Sequence, residues 1–229
     1  MKTIGLIGGM SWESTVTYYQ VMNERINAAL GGYHSAKVLL YSVDFAEVEA
    51  AQRQEDWQRI GELLADAAQR LERGGADFVL LGTNTMHRCS AQIERAIGVP
   101  LIHIADATAD ALLVAGFTRI ALLGTRYTME QTFYRERLEA RGIRVDIPHA
   151  QEREMIHRVS FDELCFGKQE PASREAYVRV VERMAAEGAQ AAVLGCTEIG
   201  MLLRPSDTAV PLVDTTVVHA QAAVKLALA

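Results

Sequence analysis

Cysteine is scarce in this sequence: Cys89, Cys165 and Cys196 are the only three among 229 residues. An odd number at wide spacing argues against a disulfide framework. Without a CxxC pair no structural zinc site is expected. HEXXH and other close His/carboxylate pairs are also missing, so the sequence asks for no metal. No apolar run approaches ~18 residues, so no transmembrane helix is expected. The opening MKTIGLIGGMSWES has one lysine and an apolar stretch that Trp12 and Glu13 interrupt, with no small-residue cleavage site after it. It reads as a first strand rather than a signal peptide, and a cytoplasmic, reducing environment is expected. Positive charge is in deficit. There are 23 Lys and Arg against 29 Asp and Glu, a net −6, and no Lys/Arg-rich run. Neither nucleic acid nor a membrane is therefore expected as a partner. Nucleotide motifs are absent too. Gly5, Gly8 and Gly9 miss the GxGxxG spacing, and Asp44 falls later than the ~20 residues a dinucleotide fingerprint requires.

What is present is globular: 49% hydrophobic and 23% charged residues suit a chain that buries a core. The length fits one large α/β domain or two small lobes. Candidate strands are Thr3–Ile7, Lys37–Val43, Asp77–Leu81, Pro100–Ile104, Arg119–Leu123, Arg144–Ile147, Ala191–Leu194 and Pro211–Val213. Helical patterning falls near Glu13–Ala29, Glu55–Glu72, Ala91–Ile97, Asp106–Ala115, Met129–Arg141, Ser173–Ala186 and Thr216–Ala227. Alternating elements with unbroken Val/Ile/Leu strands predict parallel sheet covered by helices on both faces.

The chain also repeats itself. IGLIGGMSWES (4–14) aligns with IALLGTRYTME (120–130), GGADFVLLGTNT (74–85) with EGAQAAVLGCTE (187–198), and VPLIHIADA (99–107) with VPLVDTTVV (210–218). The displacements are 116, 113 and 111 residues. Three ordered matches at nearly constant spacing predict two similar α/β lobes. No Pro/Gly/Ser-rich linker separates them, so close packing around a crevice is expected. Ligands of parallel sheets bind at the carboxyl ends of strands. The polar residues of every repeat fall there: Gly8-Gly9-Met10-Ser11, Thr83-Asn84-Thr85, Thr125 and Cys196-Thr197-Glu198. The alignment pairs Thr83 with Cys196.

Cys196 follows a strand, with only Gly195 between. A helix starting at Thr197 or Glu198 would lower its thiol pKa and favour a thiolate base or nucleophile. A small buried hydrophobe is the competing reading, and it is preferred for Cys89 and Cys165. The Thr83-Asn84-Thr85 turn suits a carboxylate or phosphate, against simple helix capping. His87 is placed to tune that turn or to serve as a structural histidine. Lys168, in the polar stretch 166–173, can reach an anion or remain a solvated surface lysine.

IGLIGGMSWEST at 4–15, TNTMH at 83–87, LLGT at 122–125 and LGCTEI at 194–199 resemble the aspartate/glutamate racemase family, which works without pyridoxal phosphate. The likeness covers essentially the whole chain and is strongest to the enterobacterial L-aspartate/glutamate-specific or broad-specificity amino-acid racemase branch. It implies two pseudo-symmetric Rossmann-like lobes with the active site in the crevice between them, no cofactor, and a homodimer. The first lobe would comprise 1–104, with the helix 214–229 packed against it, and the second 105–213. It also implies an acid/base pair on opposite faces of the substrate Cα. Here that pair is Cys196 and Thr83, where the family usually has a second cysteine. Met10, Ser11, Gln52, Asn84, Thr85, Thr125, Thr197 and Glu198 would bind a small amino-acid substrate, and Lys168 its distal carboxylate. Two other readings compete. A malonate decarboxylase of related fold would use a single cysteine, and a two-lobed amino-acid binding or sensor protein would need no chemistry.

Overall fold

A computed structural model describes all residues, 1–229. The chain divides into two compact units, Met1–Ile104 with His219–Ala229, and Ala105–Val218. The first holds β1 (Ile4–Gly8), α1 (Trp12–Leu30), β2 (Val38–Ser42), α2 (Phe45–Arg53), α3 (Trp57–Arg73), β3 (Phe78–Leu81), α4 (Ser90–Ala96) and β4 (Leu101–Ile102). Its four strands are all parallel, in the order β2-β1-β3-β4. The helix α5 (Ile104–Val114) leads into β5 (Arg119–Gly124), α6 (Arg126–Glu130), α7 (Thr132–Glu139), β6 (Arg144–Asp146), α8 (Ala150–Asp162), α9 (Pro171–Ala186), β7 (Ala191–Gly195), α10 (Ile199–Leu202) and β8 (Leu212–Asp214). These strands repeat the first arrangement as β6-β5-β7-β8, again all parallel. The last helix, α11 (Thr215–Leu228), begins in the second unit and returns the chain to the first.

The repeat extends to register. Ile4 stands opposite Phe78 in the first sheet, and their counterparts Ile120 and Ala191 stand opposite each other in the second. A one-residue slip would turn every side chain to the other face, so matching register puts matching positions at the strand ends.

Side-chain alternation explains the layering. Ile4, Leu6, Phe78 and Leu80 point to one face of the first sheet, onto Tyr18, Met22 and Ile26 of α1 and Ala220, Ala223 and Val224 of α11. Ile7, Val79 and Leu81 point to the other, onto Ile60, Leu64, Ala67, Ala68 and Leu71 of α3. Each fully buried Leu, Ile or Phe contributes roughly 1.5–3 kcal/mol. The α3 stripe is the one its helical spacing predicts, and Asp56 starts the helix by accepting the Arg59 amide at 3.0 Å. In the second unit Leu123, Leu194 and Cys196 share a core cluster with Tyr177, Val181 and Met184 of α9.

Three stretches differ from the sequence reading. The single helix expected over 129–141 is two, because Gln131 adopts extended dihedrals (φ −81°, ψ 156°) and starts α7 afresh. Helix α2 falls where the sequence pattern predicts no helix. Asp44, unsuited to a dinucleotide site, is its N-cap, accepting the Ala46 amide at 3.1 Å. Helix α8 likewise lies outside the predicted helices. It is capped by His149, whose amide donates to Glu152 at 2.8 Å, in place of the usual small polar residue. No helix is long and apolar enough to cross a membrane.

Candidate functional site

In the first unit the carboxyl ends of three neighbouring strands lie side by side. The Val43 amide donates to the Gly8 carbonyl at 3.1 Å and the Gly82 amide to the Ile7 carbonyl at 2.8 Å, extending the ladder past the strands. Gly9 makes the tight exit from β1 at φ +92°, where a Cβ would stand 2.4 Å from the Val43 carbonyl oxygen. The chain then enters α1 through Met10 and Ser11, both buried. Ser11 precedes the helix without capping it through its side chain, and its carbonyl accepts from Ser14 and Thr15. Thr15 in turn accepts the Gly9 amide at 2.9 Å, which ties the Gly9–Ser11 loop to α1.

Thr83, Asn84 and Thr85 follow β3 and are all buried. They lead into a 3₁₀ turn, Thr85–Cys89, that no side chain caps. Simple helix capping therefore does not explain this triplet. Gln52, near the end of α2, is 3% exposed, yet neither its Oε1 nor its Nε2 has a hydrogen-bond partner. A buried amide with both ends unpaired costs stability, and it offers a polar ligand one donor and one acceptor. Cys89 is core, as expected: it packs with Met86 and Ile93, and burial pushes its thiol up to about 11.

Behind the Thr83 turn lies a buried imidazole layer that residue spacing did not reveal. His87 has ring contacts with His103 (4.3 Å between centroids) and His219 (5.9 Å). His219 Nδ1 lies 2.8 Å from the Tyr18 hydroxyl and its Nε2 2.8 Å from the Ile102 carbonyl oxygen. Burial pushes its pKa down to about 4, partly opposed by the bond to Ile102. The unfolded chain would take up this proton near pH 6.5, well before the folded one. Stability from neutral His219 is thus fully present above about pH 6.5 and is lost as pH falls towards 4, by roughly 3 kcal/mol in total. Urea unfolding at pH 7, 5.5 and 4.5 should show this fall, and His219→Gln should flatten it. An unchanged slope in that variant would place the acid sensitivity elsewhere.

In the second unit, Gly124 and Gly195 are register partners on adjacent strands. They pack so closely that a Cβ on Gly124 would stand 2.6 Å from the Gly195 carbonyl oxygen. Thr125 follows the first glycine and caps α6, accepting the Thr128 amide at 3.4 Å. Cys196 follows the second. Its thiol donates to Glu198 Oε2 at 3.0 Å, and the Thr197 hydroxyl donates to the same oxygen at 3.0 Å. Burial, the Glu198 carboxylate and the neighbouring Cys165 push the Cys196 thiol well above its ordinary range. The lowered thiol expected from a helix N-terminus is therefore corrected. The helix after Cys196 starts only at Ile199 and has four residues, and the Glu198 carboxylate lies 3.0 Å from the sulfur. Asp214 lies near Glu198; burial raises its carboxyl, while the Thr216 and Val217 amides it accepts oppose the rise.

Lys168 is exposed just after a 3₁₀ turn, Leu164–Phe166, with Nζ 5.9 Å from the centre of the Phe166 ring. Leu164 packs in the same core cluster as Cys196. Among His, Cys, Asp and Glu, no group of three is arranged to hold a metal ion.

Comparison with known proteins follows the same lines. The Asp/Glu/hydantoin racemase family model matches residues 7–223. The chain is 22% identical to the broad-specificity amino-acid racemase RacX of Bacillus subtilis, over 99% of this chain and 98% of that one. It is 51% identical to a candidate Asp/Glu racemase from Yersinia pestis, with a TM-score of 0.92 and 100% of both chains covered. An aspartate racemase homologue from Pyrococcus horikoshii is 34% identical, with a TM-score of 0.87 and full coverage of both chains.

Proposed function

The chain belongs to the Asp/Glu/hydantoin racemase family, and from that premise we propose that it interconverts the enantiomers of aspartate or glutamate without a cofactor. The reaction removes the α-proton from one face of the substrate and returns a proton to the other. Cys196 and Thr83 are the acid/base pair, each addressing one face. One observation carries this reading. In two sheets of the same order and register, Gly82–Thr83 and Gly195–Cys196 hold equivalent positions at the carboxyl end of a fully buried strand.

Met10, Ser11, Gln52, Asn84 and Thr85 on the first unit, with Thr125, Thr197 and Glu198 on the second, are the proposed substrate contacts. The unpaired amide of Gln52 supports a polar ligand. Lys168 is proposed for the distal carboxylate, where an exposed lysine before α9 keeps the reach to meet it. The chemistry needs little from solvent. The reacting pair carries a single proton: in one direction the Cys196 thiol delivers it to Cα while Thr83, its hydroxyl proton already given up, accepts the α-proton; in the other the Cys196 thiolate accepts and the Thr83 hydroxyl donates.

The test is proton NMR of L-aspartate and L-glutamate in D₂O with the purified protein and no additive. Loss of the α-proton signal, with the D-enantiomer appearing on a chiral column, is the expected result. A folded protein that exchanges neither substrate overturns the assignment to acidic amino acids. Carbon dioxide release from an α-substituted malonate would overturn racemisation itself.

A further inference from the structure

We propose that His87 is a positioning residue for Thr83, locked into one tautomer by the backbone of the segment that follows β4. The inference rests on Thr83 serving one face of the substrate, as above. The Ile104 amide donates to His87 Nε2 at 3.1 Å. That nitrogen must then carry the lone pair, and Nδ1 the hydrogen. Nδ1 lies 2.7 Å from the Thr83 carbonyl oxygen, which can only accept. The imidazole therefore donates to Thr83 and bridges its carbonyl to the start of α5.

The same segment is held from its other side. The Ile102 carbonyl accepts from His219 Nε2, so His219 Nδ1 accepts from the Tyr18 hydroxyl. An unbroken series of hydrogen bonds and covalent backbone thus runs from Tyr18 on α1 to Thr83. Every donor and acceptor in it has one allowed direction. A second proton on either imidazole would face a backbone amide or a tyrosine hydroxyl already donating.

Pinning the Thr83 carbonyl matters because of what threonine is. The peptide plane that carries this carbonyl sets the backbone of Thr83, and a β-branched side chain has few rotamers on a given backbone. Fixing the carbonyl therefore fixes the direction of the hydroxyl. An alkyl hydroxyl is a weak acid and a weaker base near neutral pH, so it depends on placement more than a thiol does. A displacement of about 1 Å in a reacting group can cost ~10²-fold in rate.

Two variants separate positioning from packing. His87→Asn keeps an N–H where Nδ1 was, within reach of the Thr83 carbonyl. His87→Gln puts its amide where Nε2 was and leaves that carbonyl unbonded. Both remove the ring. Racemisation by His87→Gln should fall ~10²-fold, while His87→Asn should stay within about threefold of wild type. The α-deuterium isotope effect on kcat/KM supplies the readout that instability cannot mimic. In the wild type the Thr83 and Cys196 steps share the limit; in His87→Gln the Thr83 step becomes fully limiting. The effect should then rise for the enantiomer that Thr83 deprotonates and drop for the one that Cys196 deprotonates. Equal losses in the two variants, or isotope effects that move together, overturn the proposal. If His87→Gln does not fold, His87→Asn decides alone: a loss beyond tenfold overturns it and retained activity supports it. Wild-type protein in the same assay keeps the two claims apart, since its failure to racemise would sink the function and not the hydrogen bond.

Discussion

Replacing Cys196 by serine is expected to lower kcat/KM for racemisation by about 10³-fold, within the range that general acid–base groups supply. The substitution preserves size and keeps a donor for Glu198, which the thiol meets at 3.0 Å. The fold should therefore survive and the loss should be chemical. The wild-type pH profile belongs to the same argument. Burial and Glu198 hold the thiol protonated through neutral pH. In that form Cys196 is ready to donate but not to abstract. The reacting enzyme carries one proton fewer across the pair, so kcat/KM should climb with pH on an alkaline limb. The enantiomers have equal free energy, so the climb must be the same in both directions. In Cys196→Ser that limb should vanish with the activity. Chiral chromatography of initial rates between about pH 6 and 10 measures both effects. A serine variant with more than about a tenth of wild-type activity would remove Cys196 from the chemistry.

Much of this was legible in the residues alone, for a reason that lies in the repeat. Strand interiors such as Phe78–Leu81 and Ala191–Gly195 are buried on both faces, so they are written as apolar runs that stand out. Their duplication predicts matching strand ends for Thr83 and Cys196, and the two sheets have them there. Local signals failed where the residue type was unusual or the element short. His149 in a capping role does not announce a helix, although Glu152 three residues later does. Helix α2 spans only nine residues, and its cap Asp44 reads in the sequence as a misplaced dinucleotide ligand. The protonation of Cys196 was not legible. It depends on burial and on the rotamer that brings Glu198 to the sulfur, and sequence spacing reports neither. Nor was the imidazole layer, whose members His87, His103 and His219 are assembled only by tertiary packing.

Thr83→Ala is expected to cost about 10²–10³-fold in kcat/KM for both enantiomers, because one face of the substrate loses its proton carrier. Thr83→Cys is the sharper variant, and it should raise kcat/KM by about threefold in both directions. The gain follows from the difference between the two units. Glu198 is one of the groups that push the Cys196 thiol up. In the repeat alignment the residue corresponding to Glu198 is Thr85, which carries no charge. A thiol at position 83 would be spared that like-charge push and would ionise more readily than Cys196. It would also replace a hydroxyl that ionises hardly at all near neutral pH. The alkaline limb of the pH profile should accordingly start lower in this variant. Any gain confined to one enantiomer's kcat/KM would violate the equilibrium between mirror images, so equality of the two directions checks the assay. A folded Thr83→Cys protein slower than wild type would mean that the hydroxyl face does not limit the reaction, and that the proton on that side travels through another group.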